Sequence, residues 1–185
     1  MFTVAIIGAG PLGRRLALAA AKGGNRVFLE DVMPSNLHHA REYIRQQYGP
    51  NSASTVEFVS TIEDAVREAD LAIDCVPDEL ESKLEIFCLL DRMAPPRTVL
   101  ATPTTRLSIT DLASCTYRAD RCVAIVSEAS ALAEEAAGQL LLRTPAQASP
   151  ETIGLVRGFW EGLGYAPRFE ADGFLTENGS RTAKD

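Results

Sequence analysis

The chain has 185 residues, of which 46% are apolar, and a net charge of −7. A chain of this length and apolar content forms one full-size globular domain. The negative charge, without any polybasic run, argues against nucleic acid or an anionic membrane as a partner. Because the apolar stretches are no longer than a strand and no signal peptide precedes the first of them, we expect a cytoplasmic protein without a membrane segment.

Strand and helix patterns alternate along the chain, which is typical of a mostly parallel sheet with helices on both faces. The predicted strands cover 4–8, 27–31, 55–60, 71–76, 98–102, 122–126, 139–143 and 166–170. The predicted helices cover 11–22, 34–47, 62–69, 79–93, 108–114, 127–138 and 150–163. The sequence therefore predicts one α/β domain over 1–175, followed by a polar, disordered tail over 176–185.

The residues that most often bind metals are few and scattered. The four cysteines form no C-x-x-C pair and have no accompanying histidine, so we predict reduced, buried thiols and no metal site. His38 and His39 are adjacent on the second predicted helix, where we expect a solvated surface.

Three glycines in G-x-G-x-x-G spacing, Gly8, Gly10 and Gly13, join the first strand to the first helix. Gly8 permits the tight turn, Gly10 lets a diphosphate approach the backbone, and Gly13 lets the helix lie close to the strand. The helix begins at Pro11, and its first N–H groups and positive dipole end favour a bound diphosphate. The loop, including Pro11 and Leu12, is therefore predicted to bind a dinucleotide.

A carboxylate at the end of the second predicted strand completes this unit. Asp31 lies eighteen residues beyond Gly13, close to the spacing of about 20 residues expected of a ribose-binding acid. A carboxylate there accepts hydrogen bonds from the adenosine ribose hydroxyls and repels a 2′-phosphate, which favours NAD over NADP. The alternative is a solvated strand end, at which Glu30 and Asp31 contribute only to solubility.

Several segments, in order and spacing, resemble the NAD-binding domain of the 3-hydroxyacyl-CoA dehydrogenase family. They are VAIIGAGPLG at 4–13, Asp31, DCVPDELE at 74–81 with Lys83, ATPTTRLSI at 101–109, TP at 144–145, SPET at 149–152 and DGF at 172–174. The resemblance implies a Rossmann-type, doubly wound sheet, with NAD as the cofactor. It also implies that the family's C-terminal helical domain, which completes the active site and forms the dimer, is absent from this chain.

The resemblance also implies roles for residues beyond the glycine loop. Asp78 stands where the family has a glutamate near the nicotinamide ribose, and Lys83 matches a lysine near the same cofactor. Val76 and Pro77, at the carboxyl end of the fourth strand, and Thr104 complete the predicted cofactor site. The alternative for Asp78 and Lys83 is an ordinary acid at a helix N-terminus and its i,i+5 neighbour.

The departures from the family pattern fall on the catalytic residues. Val126 replaces the histidine that exchanges the substrate proton, and neither Gly138 nor Leu140 supplies the glutamate that orients it. Removing a positioned general acid–base costs about 10²–10⁴ in rate. Thr105, at the family's active-site serine, is the one catalytic candidate that keeps a hydroxyl. Pro103 replaces an asparagine beside it.

Two further departures affect substrate binding and proton transfer. The segment 34–55 is too short for the helical hairpin that helps the family to hold CoA. Ser127, Glu128, Glu134 and Glu135 follow the sixth strand and could replace the missing groups, but the alternative is a surface helix with a solvated acidic face.

Two functions therefore remain open. One is an NAD-dependent oxidoreductase in fatty acid metabolism, acting on an acyl-CoA or hydroxy acid with altered or partner-supplied catalytic groups. The other is an NAD(H)-binding module without turnover, serving as a sensor or subunit. A homodimer or a separate helical-domain partner could cover an apolar face formed by Phe159, Trp160, Leu163, Tyr165 and Phe174, although these side chains could also pack the last helix onto the sheet.

Overall fold

A computed structural model describes residues 1–48, 56–127, 132 and 138–173 of the chain. The strands are β1 (Thr3–Ile7), β2 (Arg26–Glu30), β3 (Val56–Val59), β4 (Leu71–Asp74), β5 (Val99–Pro103), β6 (Cys122–Val126), β7 (Gln139–Thr144) and β8 (Ala166–Ala171). The helices are α1 (Pro11–Lys22), α2 (Pro34–Tyr48), α3 (Ile62–Val66), α4 (Leu80–Met93), α5 (Ile109–Ala113) and α6 (Pro150–Gly162), with a 3-10 turn at Ala119–Arg121.

The eight strands form one sheet in the order β3-β2-β1-β4-β5-β6-β7-β8, and every pair is parallel except β6 with β7. The chain runs outward from β1 to β3 and then returns to place β4 on the other side of β1. In a doubly wound sheet, ligands bind beyond the carboxyl ends of the strands at this reversal. The predicted α/β fold is therefore confirmed. In this fold we expect a ligand site at the carboxyl ends of β1, β2 and β4.

Two cores lie on opposite faces of the sheet. The first core packs α1, α2 and α6 on one face, around side chains such as Leu16, Leu29 and Trp160. The second core packs α3, α4 and α5 on the other face, around Phe28 and Phe87 among others. Successive residues of β1 and β2 alternate between the two cores, as expected of strands that are buried on both faces.

The aromatic residues of α6 belong to the first core and do not form an exposed face. Phe159 and Trp160 are each 1% exposed, with ring centroids 5.2 Å apart. Tyr165 stacks edge-on against Trp160, and Leu163 packs beside the same core. Of the two alternatives, packing of α6 onto the sheet is confirmed for Phe159 and Trp160, whereas Leu163 and Tyr165 are half-buried. A homodimer or a separate helical-domain partner stays a prediction. Phe174 lies outside the described residues.

Some strands and helices end a few residues away from the predicted positions. Strand β4 stops at Asp74 because its carboxylate turns back to accept a hydrogen bond from the Val76 N–H at 2.9 Å. Helix α3 begins after the predicted cap, the Thr61 hydroxyl, which accepts from the Asp64 N–H, but it ends at Val66, three residues early. The predicted helix over 127–138 and the tail over 176–185 fall almost entirely outside the described residues.

None of the helices in the described parts of the chain is long and apolar enough to cross a membrane. The same residues contain no group of three or more His, Cys, Asp or Glu side chains placed to hold a metal ion. All four cysteines are free, but only Cys122 is fully buried, so the prediction of buried thiols holds for that residue alone.

Candidate cofactor-binding groove

A groove with a volume of about 720 Å³ crosses the carboxyl ends of the strands. Residues that follow β2 line one end, the glycine loop lines the middle, and residues that follow β4, β5 and β6 line the other end. Among the predicted cofactor residues, those in the lining are Gly8, Gly10, Pro11, Leu12, Asp31, Val76, Pro77, Asp78 and Thr104, together with the catalytic candidate Thr105. Gly13 and Lys83 do not line the groove, and both contribute to the packing beneath it.

The three glycines of the loop have three distinct geometric roles. Gly8 has a φ of +101°, a conformation that residues with a Cβ rarely adopt, and its N–H donates to the Glu30 carbonyl at 2.8 Å. A Cβ at Gly10 would meet no atom within 4 Å, so the backbone there opens directly onto the groove. A Cβ at Gly13 would lie 1.8 Å from the Gly8 carbonyl oxygen, so helix and strand pack at this point only because it is absent.

Helix α1 presents its N-terminus to the groove. Gly10 is the N-cap and contributes no side-chain hydrogen bond, and Pro11 occupies the first turn. The free N–H groups of such a turn, with the positive end of the helix dipole, suit a diphosphate.

Asp31 is held rigidly at the end of the groove that follows β2. Its Oδ2 accepts hydrogen bonds from the Ala9 N–H at 2.8 Å and from the Asn36 amide at 3.0 Å, and its Oδ1 accepts from the Met33 N–H at 2.8 Å. A carboxylate offers about four acceptor positions, so capacity remains for a ribose hydroxyl. Since Asp31 is 8% exposed and Glu30 is 5% exposed, the alternative of a solvated strand end is wrong.

A buried ion pair supports the loop after β4. The Lys83 ammonium donates to Asp74 Oδ2 at 3.2 Å, to Thr102 Oγ1 at 2.7 Å and to the Val76 carbonyl at 3.4 Å. Asp74 and Lys83 are 0% and 1% exposed, and burial raises the pKa of Asp74 against the opposing effect of the Lys83 charge. An ammonium group has three donors, and all three are engaged here. Lys83 therefore holds together the floor of the groove and the loop that carries Asp78.

Asp78 projects from this loop into the end of the groove lined by Thr105 and Ser127. Its Oδ2 accepts a long hydrogen bond of 3.4 Å from the Thr105 N–H. Its Oδ1 is buried and has no hydrogen-bond partner within the described part of the chain. A buried acceptor without a partner is costly, and a ribose hydroxyl at this point would satisfy it. The orphaned oxygen, the open backbone at Gly10 and the rigid Asp31 all fit a dinucleotide.

The far end of the groove carries hydroxyl groups in place of an imidazole. Thr105 and Ser127 line it, and Val126 ends β6 opposite Leu141 of β7. Both histidines of the chain, His38 and His39, are exposed on α2, outside the groove lining. Leu140 is buried and Gly138 is exposed, so neither position supplies an acid. Glu128, Glu134 and Glu135 lie outside the described residues.

Glu30 is a groove residue that the sequence analysis treated only as a solubility group. It lines the same end as Asp31, and burial, with a smaller effect from the Asp31 charge, raises its pKa to about 7. The sequence feature that could have indicated the burial of Glu30 is its position at the end of an apolar run, which is typical of a strand buried on both faces of a parallel sheet.

Comparison with known proteins agrees with this geometry. Residues 3–126 match the model of the family described as "3-hydroxyacyl-CoA dehydrogenase, NAD binding domain". The match covers well over half of the chain, and the chain therefore belongs to this family. NAD is the cofactor of the family domain and of this chain.

Two curated relatives and one solved structure illustrate the similarity. A probable 3-hydroxybutyryl-CoA dehydrogenase of Bacillus subtilis is 31% identical in an alignment of length 133 that covers 65% of this chain and 46% of the relative. The 5-formyl-3-hydroxy-2-methylpyridine 4-carboxylate 5-dehydrogenase of Mesorhizobium japonicum is 28% identical in an alignment of length 178 that covers 89% of this chain and 55% of the relative. The crystal structure of the 3-hydroxyacyl-CoA dehydrogenase of Archaeoglobus fulgidus superimposes with a TM-score of 0.80 at 25% identity, covering 95% of this chain and 58% of that one. The chain thus spans about half the length of the curated relatives it matches.

Replacing Gly10 and Gly13 in turn should separate ligand binding from packing. Gly10→Val should weaken NADH binding by on the order of a hundredfold, because the new side chain would project into the groove. The melting temperature should stay near that of the wild type, because a Cβ at this position would contact no other atom of the protein. Gly13→Val should prevent stable folding, because its Cβ would overlap the Gly8 carbonyl. Calorimetric titration and thermal melting measure the two effects, and normal NADH affinity in Gly10→Val would contradict this placement of the diphosphate.

Removing the Lys83 charge should destabilise the protein. Lys83→Met leaves Asp74 buried without its cation, and we expect a loss of about 3–5 kcal/mol in the free energy of unfolding. Urea denaturation of this variant and of the double variant Asp74→Asn/Lys83→Met measures the effect. The double variant should recover part of the loss, and equal stability of Lys83→Met and the wild type would show that the pair is not needed.

The stability of the protein should fall as the pH rises from about 4.5 to about 7 and level off above that. The pKa of Glu30 is raised from 4.5 to about 7 on folding, so the folded state binds more protons than the unfolded state between these values. Replacing Glu30 by Gln should remove about 3 kcal/mol of this pH-dependent loss, because one pKa unit is worth about 1.4 kcal/mol. Thermal unfolding between about pH 4.5 and pH 8 tests this, with exposed Glu63→Gln as the control. A stability difference from the wild type that is the same at every pH would count against it.

Proposed function

We propose that this chain binds NAD(H) in the groove and does not by itself catalyse the dehydrogenation of a 3-hydroxyacyl-CoA. The observation that carries the proposal is the nicotinamide end of the groove, where the strand that ends in a histidine in the family ends in Val126. The chain's own two histidines are exposed on α2.

The proposed cofactor position follows from the groups that line the groove. The diphosphate lies over Gly10 at the N-terminus of α1, and the adenosine ribose binds Asp31. The nicotinamide ribose meets the free oxygen of Asp78. Val76, Pro77 and Thr104 form the wall beside the nicotinamide ring. The bound nicotinamide supplies hydride transfer, and the chain supplies the binding and orientation of the cofactor.

Proton transfer is the step that this chain does not support. Reduction of a ketone places negative charge on its oxygen, and a nearby donor must neutralise that charge. The hydroxyls of Thr105 and Ser127 can donate a hydrogen bond, but an aliphatic hydroxyl is a poor acid near neutral pH. The missing acid–base group corresponds to a loss of about 10²–10⁴ in rate.

A second candidate function is an NAD-dependent oxidoreductase that acts on an acyl-CoA or hydroxy acid with catalytic groups from elsewhere. It is favoured by the relatives, which are named as dehydrogenases and are about twice as long as the matched segment. Here a separate helical domain, a second copy of the chain or the acids Glu128, Glu134 and Glu135 would supply the proton donor. A cytoplasmic location and a role in fatty acid metabolism remain predictions from the sequence.

The isolated chain, mixed with NADH and acetoacetyl-CoA, tests the proposal. We expect NADH to bind, with NADPH binding at least about tenfold more weakly because Asp31 would face its phosphate. We expect no oxidation of NADH above background, followed by the near-ultraviolet absorbance of the reduced nicotinamide.

A complete 3-hydroxyacyl-CoA dehydrogenase in the same assay serves as the positive control. Turnover by the isolated chain at roughly 1–10³ per second would overturn the non-catalytic proposal and favour the second candidate. Failure to bind NADH at all would overturn both.

A further inference from the structure

The end of β2 places two acidic side chains on opposite sides of the sheet. Phe28 packs into the second core and Leu29 into the first. By the same alternation Glu30 is directed to the side of α3 and α4, and Asp31 to the side of α1, where it accepts from the Ala9 N–H. Both residues line the groove. The two carboxyl groups therefore meet different parts of a molecule bound across this strand end.

The wall around Glu30 suits a flat aromatic base. Ile62 from α3 and Ile86 from α4 line the groove and pack beside the second core, and Val32 lines it from the loop after β2. Val32 is 75% exposed, so its side chain is open to contact with a bound molecule. Apolar side chains around a few placed polar groups are typical of small-molecule sites.

The position of the base follows from the proposed position of the ribose. The base is attached to the sugar carbon next to the one that carries the 2′-hydroxyl. With the hydroxyls on Asp31 and the diphosphate over Gly10, the base extends away from the glycine loop, into the end bounded by Ile62 and Val32. If Asp31 binds the ribose, Glu30 is the acidic side chain at this end of the groove that is left to contact the base.

We propose that Glu30 recognises the amino edge of adenine, which makes it a specificity-determining residue of the cofactor site. A carboxyl group accepts a hydrogen bond from the exocyclic amine in either protonation state. A base with a keto oxygen in place of the amine has an acceptor at that position, which repels a carboxylate, and its nearest donor is the ring N1–H. This inference rests on the dinucleotide placement proposed above.

The binding preference expected from this contact is substantial. Glu30 is only 5% exposed, so water cannot readily replace a lost partner. Leaving a buried charged acceptor opposite another acceptor weakens binding by roughly ten- to a hundredfold. Glutamine at the same position would relax the preference, because its amide can either accept from an amine or donate to a keto oxygen.

The test compares NADH with reduced nicotinamide hypoxanthine dinucleotide, in which a keto oxygen replaces the amine and the neighbouring ring nitrogen N1 carries a hydrogen. Both are titrated calorimetrically against the full chain at about pH 8.5, above the Glu30 pKa of about 7. The wild type should bind NADH at least about tenfold more tightly, and Glu30→Gln should bind the two within about threefold. Glu63→Gln, an exposed glutamate in the first turn of α3, is the matched control and should keep the wild-type ratio.

Equal affinity of the wild type for the two dinucleotides would overturn the inference while leaving the proposed function intact. A preference for NADH that persists in folded Glu30→Gln would also overturn it, because the discrimination would then come from another group. Failure of the wild type to bind either dinucleotide would instead overturn the proposed function. Since the wild-type comparison needs no variant, poor folding of Glu30→Gln would not remove the test.

Discussion

The close contact between Gly13 and the Gly8 carbonyl is the constraint on which the groove depends. No side-chain atom fits between α1 and the turn after β1, so the helix lies against the strand end. This contact points the helix N-terminus at the space above the sheet, where its free N–H groups can meet an anion. It also brings the Ala9 N–H to Asp31, so the acid at the end of β2 is oriented by the same loop.

The opposite wall of the groove depends on the buried ion pair between Asp74 and Lys83. Asp74 ends β4 and uses one oxygen to turn the backbone at Val76, while the other meets Lys83 and Thr102. Burying two charges is costly unless their hydrogen bonds are complete, and here Lys83 uses all its donors within the protein. We interpret the pair as a brace that fixes where Asp78 enters the groove.

The two ends of the groove therefore differ in chemical capability. The end proposed for the adenosine has a rigid acid, a second buried acid and apolar walls, which offer contacts for both a sugar and a base. The end proposed for the nicotinamide has an orphaned carboxylate oxygen, two hydroxyls and Val126, which suit binding and orientation better than proton transfer. Membership of a dehydrogenase family is compatible with the proposed lack of turnover, because cofactor binding and proton transfer need different groups.

The sequence by itself determined the alternating elements, the mostly parallel sheet, the separate geometric roles of the three glycines and the acid that follows β2, Asp31, which lines the groove. These features depend on local spacing, since a strand, a tight turn and a helix N-terminus are specified by neighbouring residues. Only the tertiary structure showed that Glu30 is buried and that Lys83 lies beneath the groove. Likewise, it alone placed Trp160 inside the core. The physical reason is that burial depends on contacts between distant segments, such as Lys83 with Thr102, which sequence spacing does not reveal.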